Sequence, residues 1–233
     1  MRISIIIPVL DEAGRIGPLV RDLLTRNPIP EVLVIDGGSR DATVIEATFA
    51  GAHVLKAPRG RGQQLSIGAQ AACGDVLLFL HADTRLGNGA LSALRRALSD
   101  AAVSGGNFRI LFDGDDRFSR RLEGLYAWSR RLGLYYGDSA IFVRRNVYDA
   151  LGGMLPVELM EDFDFSRRLE RYGGTICIVD PPVTSSSRRF QGRRPVSIVI
   201  VWLWIHLLYY LKVRPATLAG LYDSERRRRT IRT

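Results

Sequence analysis

Cysteine, histidine and nucleotide-loop glycines are what this 233-residue chain has least of. Two cysteines, Cys73 and Cys177, cannot build a disulfide scaffold or a four-thiolate metal site. Both stand beside apolar runs and read as buried core residues. None of the three histidines, His53, His81 and His206, has a second histidine or cysteine at zinc spacing. No GxxxxGKS or GxxxxGKT stretch and no GxSxG elbow occurs, so a P-loop and a hydrolase nucleophile turn are excluded. Gly60 and Gly62 begin a GxGxxG pattern, but Leu65 stands where its third glycine belongs. The chain starts with an apolar run, Ile3 to Leu10, that meets Asp11 and Glu12 without a small-residue cleavage site, which argues against a secretory signal.

The charge balance is one-sided. There are 33 Lys+Arg against 24 Asp+Glu, a formal +9, which favours phosphate-bearing partners. The basic residues are not interleaved with stacking aromatics in a nucleic-acid module, so a nucleic-acid partner is not expected. With 46% hydrophobic residues, the chain has enough apolar material for a packed core.

Apolar runs and helical spacings alternate along the first half. Ile3–Val9, Val32–Ile35, His53–Leu55 and Val76–Leu80 read as strands. Between them, Ile16, Leu19, Val20, Leu23 and Leu24 fall at helical spacing. Asp41 is placed to cap a second helix, and Gln63 to Cys73 reads as a third. This order predicts an α/β fold with a mostly parallel sheet flanked by helices. Farther on, Ser104–Phe112, Ala140–Val143 and Ile176–Val179 read as strands, and Arg117–Leu132 and Glu161–Tyr172 as helices. Residues 1–190 form the expected catalytic domain, and 191–233 a hydrophobic helix with a basic tail.

Three acids follow strand ends or open a helix. Asp36 precedes a Gly37-Gly38-Ser39 turn and can either accept from a base or ribose, or cap its own turn. Asp83, in His81-Ala82-Asp83-Thr84, can act as a hard oxygen ligand for Mg²⁺ or Mn²⁺, or cap the following segment. Asp162 shares a helix face with Phe165, Leu169 and Tyr172 and so points inward, while Asp164 can pair with Arg168. A carboxylate at a helix start is held as the anion by the dipole, and can serve as a general base or simply as a cap.

Read in order, Ile5-Ile6-Ile7-Pro8-Val9-Leu10-Asp11-Glu12, Val34 to Thr43 (VIDGGSRDAT), Gly68 to Thr84 (GAQAACGDVLLFLHADT) and Met160 to Leu169 (MEDFDFSRRL) resemble the motifs of family 2 glycosyltransferases of the GT-A fold. The closest likeness is to a short bacterial subset with DGGS and HADT motifs. The resemblance implies an inverting transfer of a sugar from a nucleotide-diphosphate donor, UDP- or GDP-linked, to an acceptor hydroxyl. It places Pro8, Leu10 and Glu12 in the nucleotide pocket, Asp36 on the base, and Arg61 near the base or ribose. Asp83 is the metal ligand, His81 a possible ribose contact, and Arg188 and Arg189 contacts of the diphosphate. Asp162 becomes the base and Glu161 a support of the sugar site, with Gly106 and Asp138 near the sugar and acceptor. Two positions depart from the family pattern: Gly37 replaces a second Asp, and His81 replaces the first Asp of the metal motif. The rival readings are a polyprenyl-phosphate sugar synthase of the same fold, and a non-catalytic nucleic-acid-binding or scaffold protein.

From Val196 to Leu211 the chain is apolar apart from Ser197 and His206. Sixteen residues of helix reach about 24 Å, short of the ~30 Å hydrocarbon core. With basic residues on both sides, such a helix suits an anionic membrane face and a lipid or lipid-linked acceptor. A homodimer interface or core packing is the alternative use. The expected location is therefore the cytoplasm, peripheral at the inner face of the cell membrane.

Overall fold

The computed structural model describes residues 1–114, 117–157, 159–188, 195–214, 217–218 and 220. Eight strands form a single sheet: β1 (Ile3–Val9), β2 (Glu31–Asp36), β3 (His53–Lys56), β4 (Val76–Phe79), β5 (Thr84–Leu86), β6 (Gly105–Phe112), β7 (Phe142–Arg144) and β8 (Thr175–Ser185). Their order across the sheet is β3-β2-β1-β4-β7-β6-β8-β5. The first four are mutually parallel. β7 runs antiparallel to both β4 and β6, β6 pairs parallel with β8, and β5 closes the edge antiparallel to β8.

The helices are α1 (Ile16–Leu24), α2 (Thr43–Phe49), α3 (Arg61–Ala71), α4 (Ala90–Ala97), α5 (Arg117–Arg131), α6 (Arg145–Ala150), α7 (Glu161–Tyr172) and α8 (Pro195–Tyr210). Because side chains alternate along a strand, β1 feeds two cores at once. Ile3, Ile5, Ile7 and Val9 join α1, α4 and α5 on one face. Ile6 joins α3, α6 and α7 on the other, with Leu65, Ala69, Phe165 and Leu169. The continuous apolar run of β1 follows from this coverage on both sides. Gly68 lets α3 lie close on the sheet: a Cβ there would stand 2.4 Å from Ile6 Cγ2 and 2.9 Å from Ile35 Cγ1.

Several expectations need correction. Cys73 is exposed and Cys177 half-buried, because each lies at the end or margin of an element rather than under a layer. Tyr172, expected on the inner face of α7, is 54% exposed at the helix end. The last strand runs on to Ser185 through Pro181 and Pro182. Pairing with β6 jumps from Ile178 to Val183, so the prolines lie in an irregularity where no ladder donor is needed. β5 and α6, at three and six residues, are too short to carry an apolar period, whereas α4 does bury Ala90, Leu91, Ala93 and Leu94 at helical spacing and is an element the sequence reading leaves out.

Among the described residues, no helix is long and apolar enough to cross a membrane. α8 instead divides its surface. Ile205 packs with Met160 and Phe163 in a small third core. Ile200, Leu203, Trp204, Leu207 and Tyr210 are 47–66% exposed along the opposite side.

Candidate active site

The sheet changes direction of growth between β1 and β4, with β2 and β3 added on one side of β1 and β4 on the other. Ligands of open α/β sheets bind beyond the carboxyl ends of the strands at such a switch point. Here the β1 and β2 loops are stitched together by short polar contacts. Asp11 N–H donates to Ser39 Oγ at 2.9 Å, Arg40 N–H to Asp11 Oδ1 at 2.8 Å, and Glu12 N–H to Thr43 Oγ1 at 2.8 Å. Asp41 accepts from Thr43 N–H and also reaches Ala13 N–H, so it joins the two loops as well as opening α2. Gln64 of α3, buried, donates from Nε2 to Val9 O (2.9 Å) and Ile35 O (2.7 Å), clamping both strand ends.

Pro8 lies within β1, and Leu10 and Glu12 follow it. Glu12 is paired with Arg15 at 2.7 Å. Asp36 is 2% exposed and accepts from the N–H groups of Gly38 (3.1 Å) and Ser39 (3.0 Å). It does cap its own turn, yet two carboxylate oxygens offer about four acceptor sites, so one donor more can be accommodated. Gly37 leaves space that Gln64 fills: a Cβ there would meet its amide at 3.1 Å.

Asp83 immediately precedes β5, and its carbonyl accepts from Ser186 N–H at 3.1 Å. It caps no helix, because α4 begins only at Ala90. That pairing brings Asp83 and Arg188 to the wall of one cleft of about 660 Å³, together with Arg15, Arg26 and Asp113. Arg189 lies outside the described residues. Among the described residues no group of three metal-ligating side chains occurs. The donor set is therefore one hard carboxylate with His81 two residues away. It suits a divalent cation held mainly by substrate oxygens and water rather than a protein cage.

Asp162, Arg61, His81 and Asp138 converge on a second cavity, with Glu161 buried against Arg61. Arg61, the first residue of α3, hydrogen-bonds through Nε to Glu161 Oε1, and its Nη2 lies 3.7 Å from Asp162 Oδ2. Arg61 is expected near the base or ribose; its guanidinium here faces the two acids that open α7. Glu161 is fully buried, and its Oε2 has no hydrogen-bond partner among the described residues. Burial pushes the Glu161 carboxyl upward, more than Arg61 pulls it down. For Asp162 the balance goes the other way. Burial raises it, but Arg61, the Gly137 N–H donating to Oδ2 at 2.8 Å, and His81 hold it below the usual carboxylate range. Adjacent acids are thus pushed apart, the signature of a tuned site. His81 is held below its ordinary value by burial and by Arg61, against the pull of Asp83, Asp138 and Asp162. Asp138 is buried in a short 3₁₀ turn, Gly137–Ser139, and accepts from Tyr126 Oη–H at 2.7 Å.

The cavity these groups line measures about 130 Å³, and its other walls are Tyr126, Tyr136, Trp202, Ile205 and His206. α8 therefore reaches the site, a role the sequence reading did not give it. His206 Nε2 lies 2.9 Å from Tyr136 Oη and Nδ1 2.7 Å from Trp202 O, and the ring stands edge-on to Phe163 at 4.9 Å. The available signal was a lone histidine in a run otherwise apolar but for Ser197. Gly106 is not brought to either cavity. It sits inside the sheet at φ +154°, and a Cβ there would lie 1.8 Å from Ile176 O, so its requirement is steric.

Residues 4–155 match the family model described as glycosyl transferase family 2. A glucosyl-3-phosphoglycerate synthase of Mycolicibacterium paratuberculosis is 33% identical over 92 residues, covering 35% of this chain and 28% of that protein. The chain thus matches less than a third of the length of that curated relative. Among solved structures, S. aureus TarS 1-349 in complex with UDP-GlcNAc aligns with a TM-score of 0.67 at 16% identity, over 84% of this chain and 61% of that one. M. tuberculosis glucosyl-3-phosphoglycerate synthase in complex with phosphoglyceric acid aligns at 0.55 and 20%, over 79% and 70%. The same synthase has been solved with Mg²⁺ and UDP, at 0.53 and 18%, over 79% and 69%. The curled eight-stranded sheet with helices on both faces is the GT-A fold that these structures share.

Proposed function

The chain belongs to glycosyl transferase family 2, and on that premise we propose that it is an inverting enzyme whose base is Asp162. In this reading an acceptor hydroxyl oxygen attacks the anomeric carbon of a nucleotide-diphosphate sugar. The bond from that carbon to the diphosphate oxygen breaks, the nucleoside diphosphate leaves with the electron pair, and the hydroxyl proton passes to Asp162. The observation that carries it is a carboxylate fixed at the wall of a cavity by the Gly137 and Phe163 N–H groups and the Arg61 guanidinium. Those contacts favour the Asp162 anion and aim it without help from the substrate. They also lower its basicity, so proton transfer accompanies attack rather than preceding it.

Asp83 would hold a divalent cation, and that ion, when bound, supplies charge to offset the departing diphosphate. Arg188, on the same cleft wall, adds guanidinium–phosphate pairing. Glu12 and Asp36 receive the nucleoside at the ends of β1 and β2. Calorimetric titration of UDP and GDP, with and without Mn²⁺ or Mg²⁺, tests the assignment. Binding of one nucleotide that depends on metal and disappears in Asp83→Ala is expected. No binding at millimolar nucleotide would overturn it.

The outward face of α8 supports a peripheral position on an anionic membrane, with a lipid or lipid-linked acceptor. Leu203, Trp204 and Leu207 present apolar surface there, and the exposed Lys212 follows. Vesicles of phosphatidylcholine and phosphatidylglycerol should pellet the protein at low salt, and Leu203→Ser with Trp204→Ser should release it. A dimer in solution that ignores such vesicles would assign the face to a second copy instead.

A further inference from the structure

We infer that the cavity walled by α8 is the acceptor subsite and that it takes an uncharged hydroxyl compound rather than a phosphorylated or carboxylated one. This rests on the transferase reading above. Asp162 lines the cavity, so a hydroxyl lodged there is within reach of its carboxylate. Charge decides the class of compound. Arg61 is the single lysine or arginine lining the cavity among the described residues, and it already faces Glu161 and Asp162. Asp138 adds a further carboxylate to the same wall. An anion entering here meets two carboxylates and, among the described residues, no further lysine or arginine to offset them, which is an unfavourable burial.

An uncharged polyol or sugar meets the opposite situation. Carboxylates accept charge-assisted hydrogen bonds from its hydroxyls, and Tyr136 and Trp202, which line the cavity, add aromatic surface for its C–H groups. Size agrees. At roughly 10–15 Å³ per water-sized group, about 130 Å³ accommodates on the order of ten non-hydrogen atoms, close to one sugar ring. The chain would then differ in acceptor from the phosphoglycerate named for its relatives, whose acid carries a phosphate and a carboxylate.

The test uses the full chain saturated with UDP and Mg²⁺, or with GDP if that is the nucleotide that binds. Saturation-transfer NMR is recorded with methyl β-glucopyranoside and with 3-phosphoglycerate, alone and in competition. The neutral glycoside should receive saturation, and 3-phosphoglycerate should neither receive it nor displace the glycoside. Trp202→Ala should weaken the glycoside at least tenfold with nucleotide affinity unchanged, and Trp202→Phe should fall between. Overturning results are 3-phosphoglycerate binding as tightly as the glycoside, no glycoside binding to the nucleotide-loaded protein, or a Trp202→Ala effect on the nucleotide alone. The contrast between the two probes is read on the wild type, so it survives any folding defect of the variants. Failure of both UDP and GDP to bind would instead remove the transferase reading itself.

Discussion

Replacing Arg61 by methionine should destabilise the protein in a way that depends on pH. Methionine keeps an apolar stem but removes the guanidinium, leaving Glu161, which has no exposed surface, without its one side-chain hydrogen-bond partner among the described residues. Removing one member of a buried ion pair costs ~3–5 kcal/mol. Arg61 itself is 37% exposed, so water reaches that side of the pair, and we take the lower end, about 3 kcal/mol at pH 8. For a chain of this size that corresponds to a Tm lower by roughly 6–12 °C.

The pH dependence follows from the direction of the Glu161 shift. Its folded-state pKa lies above the unfolded value of 4.5 because burial disfavours the anion, and losing Arg61 raises it further. A raised carboxyl contributes stability that is fully present below the unfolded value and is lost as pH rises through the folded one. The penalty of Arg61→Met relative to wild type should therefore be small near pH 4.5. It should then grow by up to about 1.4 kcal/mol per pH unit once pH passes the wild-type folded pKa of Glu161, until the higher folded pKa of the variant is passed. Urea midpoints of both proteins between pH 5 and 8 measure this, and Glu161→Gln in the Arg61→Met background should recover most of the loss. A penalty below about 1 kcal/mol at pH 8, or one that does not change with pH, would refute the buried pair.

Other consequences follow from the same geometry. Asp162→Asn should lower kcat by about 10²–10⁴-fold with nucleotide affinity retained; near-normal turnover would point to an acceptor, such as a phosphate oxygen, that needs no base. Gly137→Ala would place a Cβ 2.8 Å from His81 Nε2 and 3.1 Å from Asp162 Oδ2, so kcat should fall by about 10²-fold through misplacement of the carboxylate, read by steady-state kinetics. Gly68→Ala forces a methyl against Ile6 and Ile35 and should cost ~1–3 kcal/mol in urea unfolding while leaving nucleotide titration unchanged.

Much of the parallel half of the fold was legible in the sequence because β1, β2 and β4 are buried on both faces and α1 keeps one apolar stripe. β1 and α1 have the bounds that periodicity suggests, since burial on both sides of the strand leaves Ser4 as its single polar side chain. β5 and α6 were not legible: three and six residues carry no period of their own and are held by neighbours already in place.

The chemistry divides in the same way. The sequence alone determined that Asp36, Asp83 and Asp162 close or open elements at one edge of an α/β sheet, because strand ends and helix starts are local events. Only the tertiary structure decided what each acid faces. Asp36 turned back on its own loop, and Arg61 crossed a hundred positions to Glu161 and lies beside Asp162. Trp202 and His206 came from the far end of the chain to wall the cavity. Hydrophobic period reports which face of an element is buried, but not which other element buries it. Here the apolar run at 196–211 specified a helix that had to be covered, and packing against Phe163 and Tyr136 made one side of it part of the site.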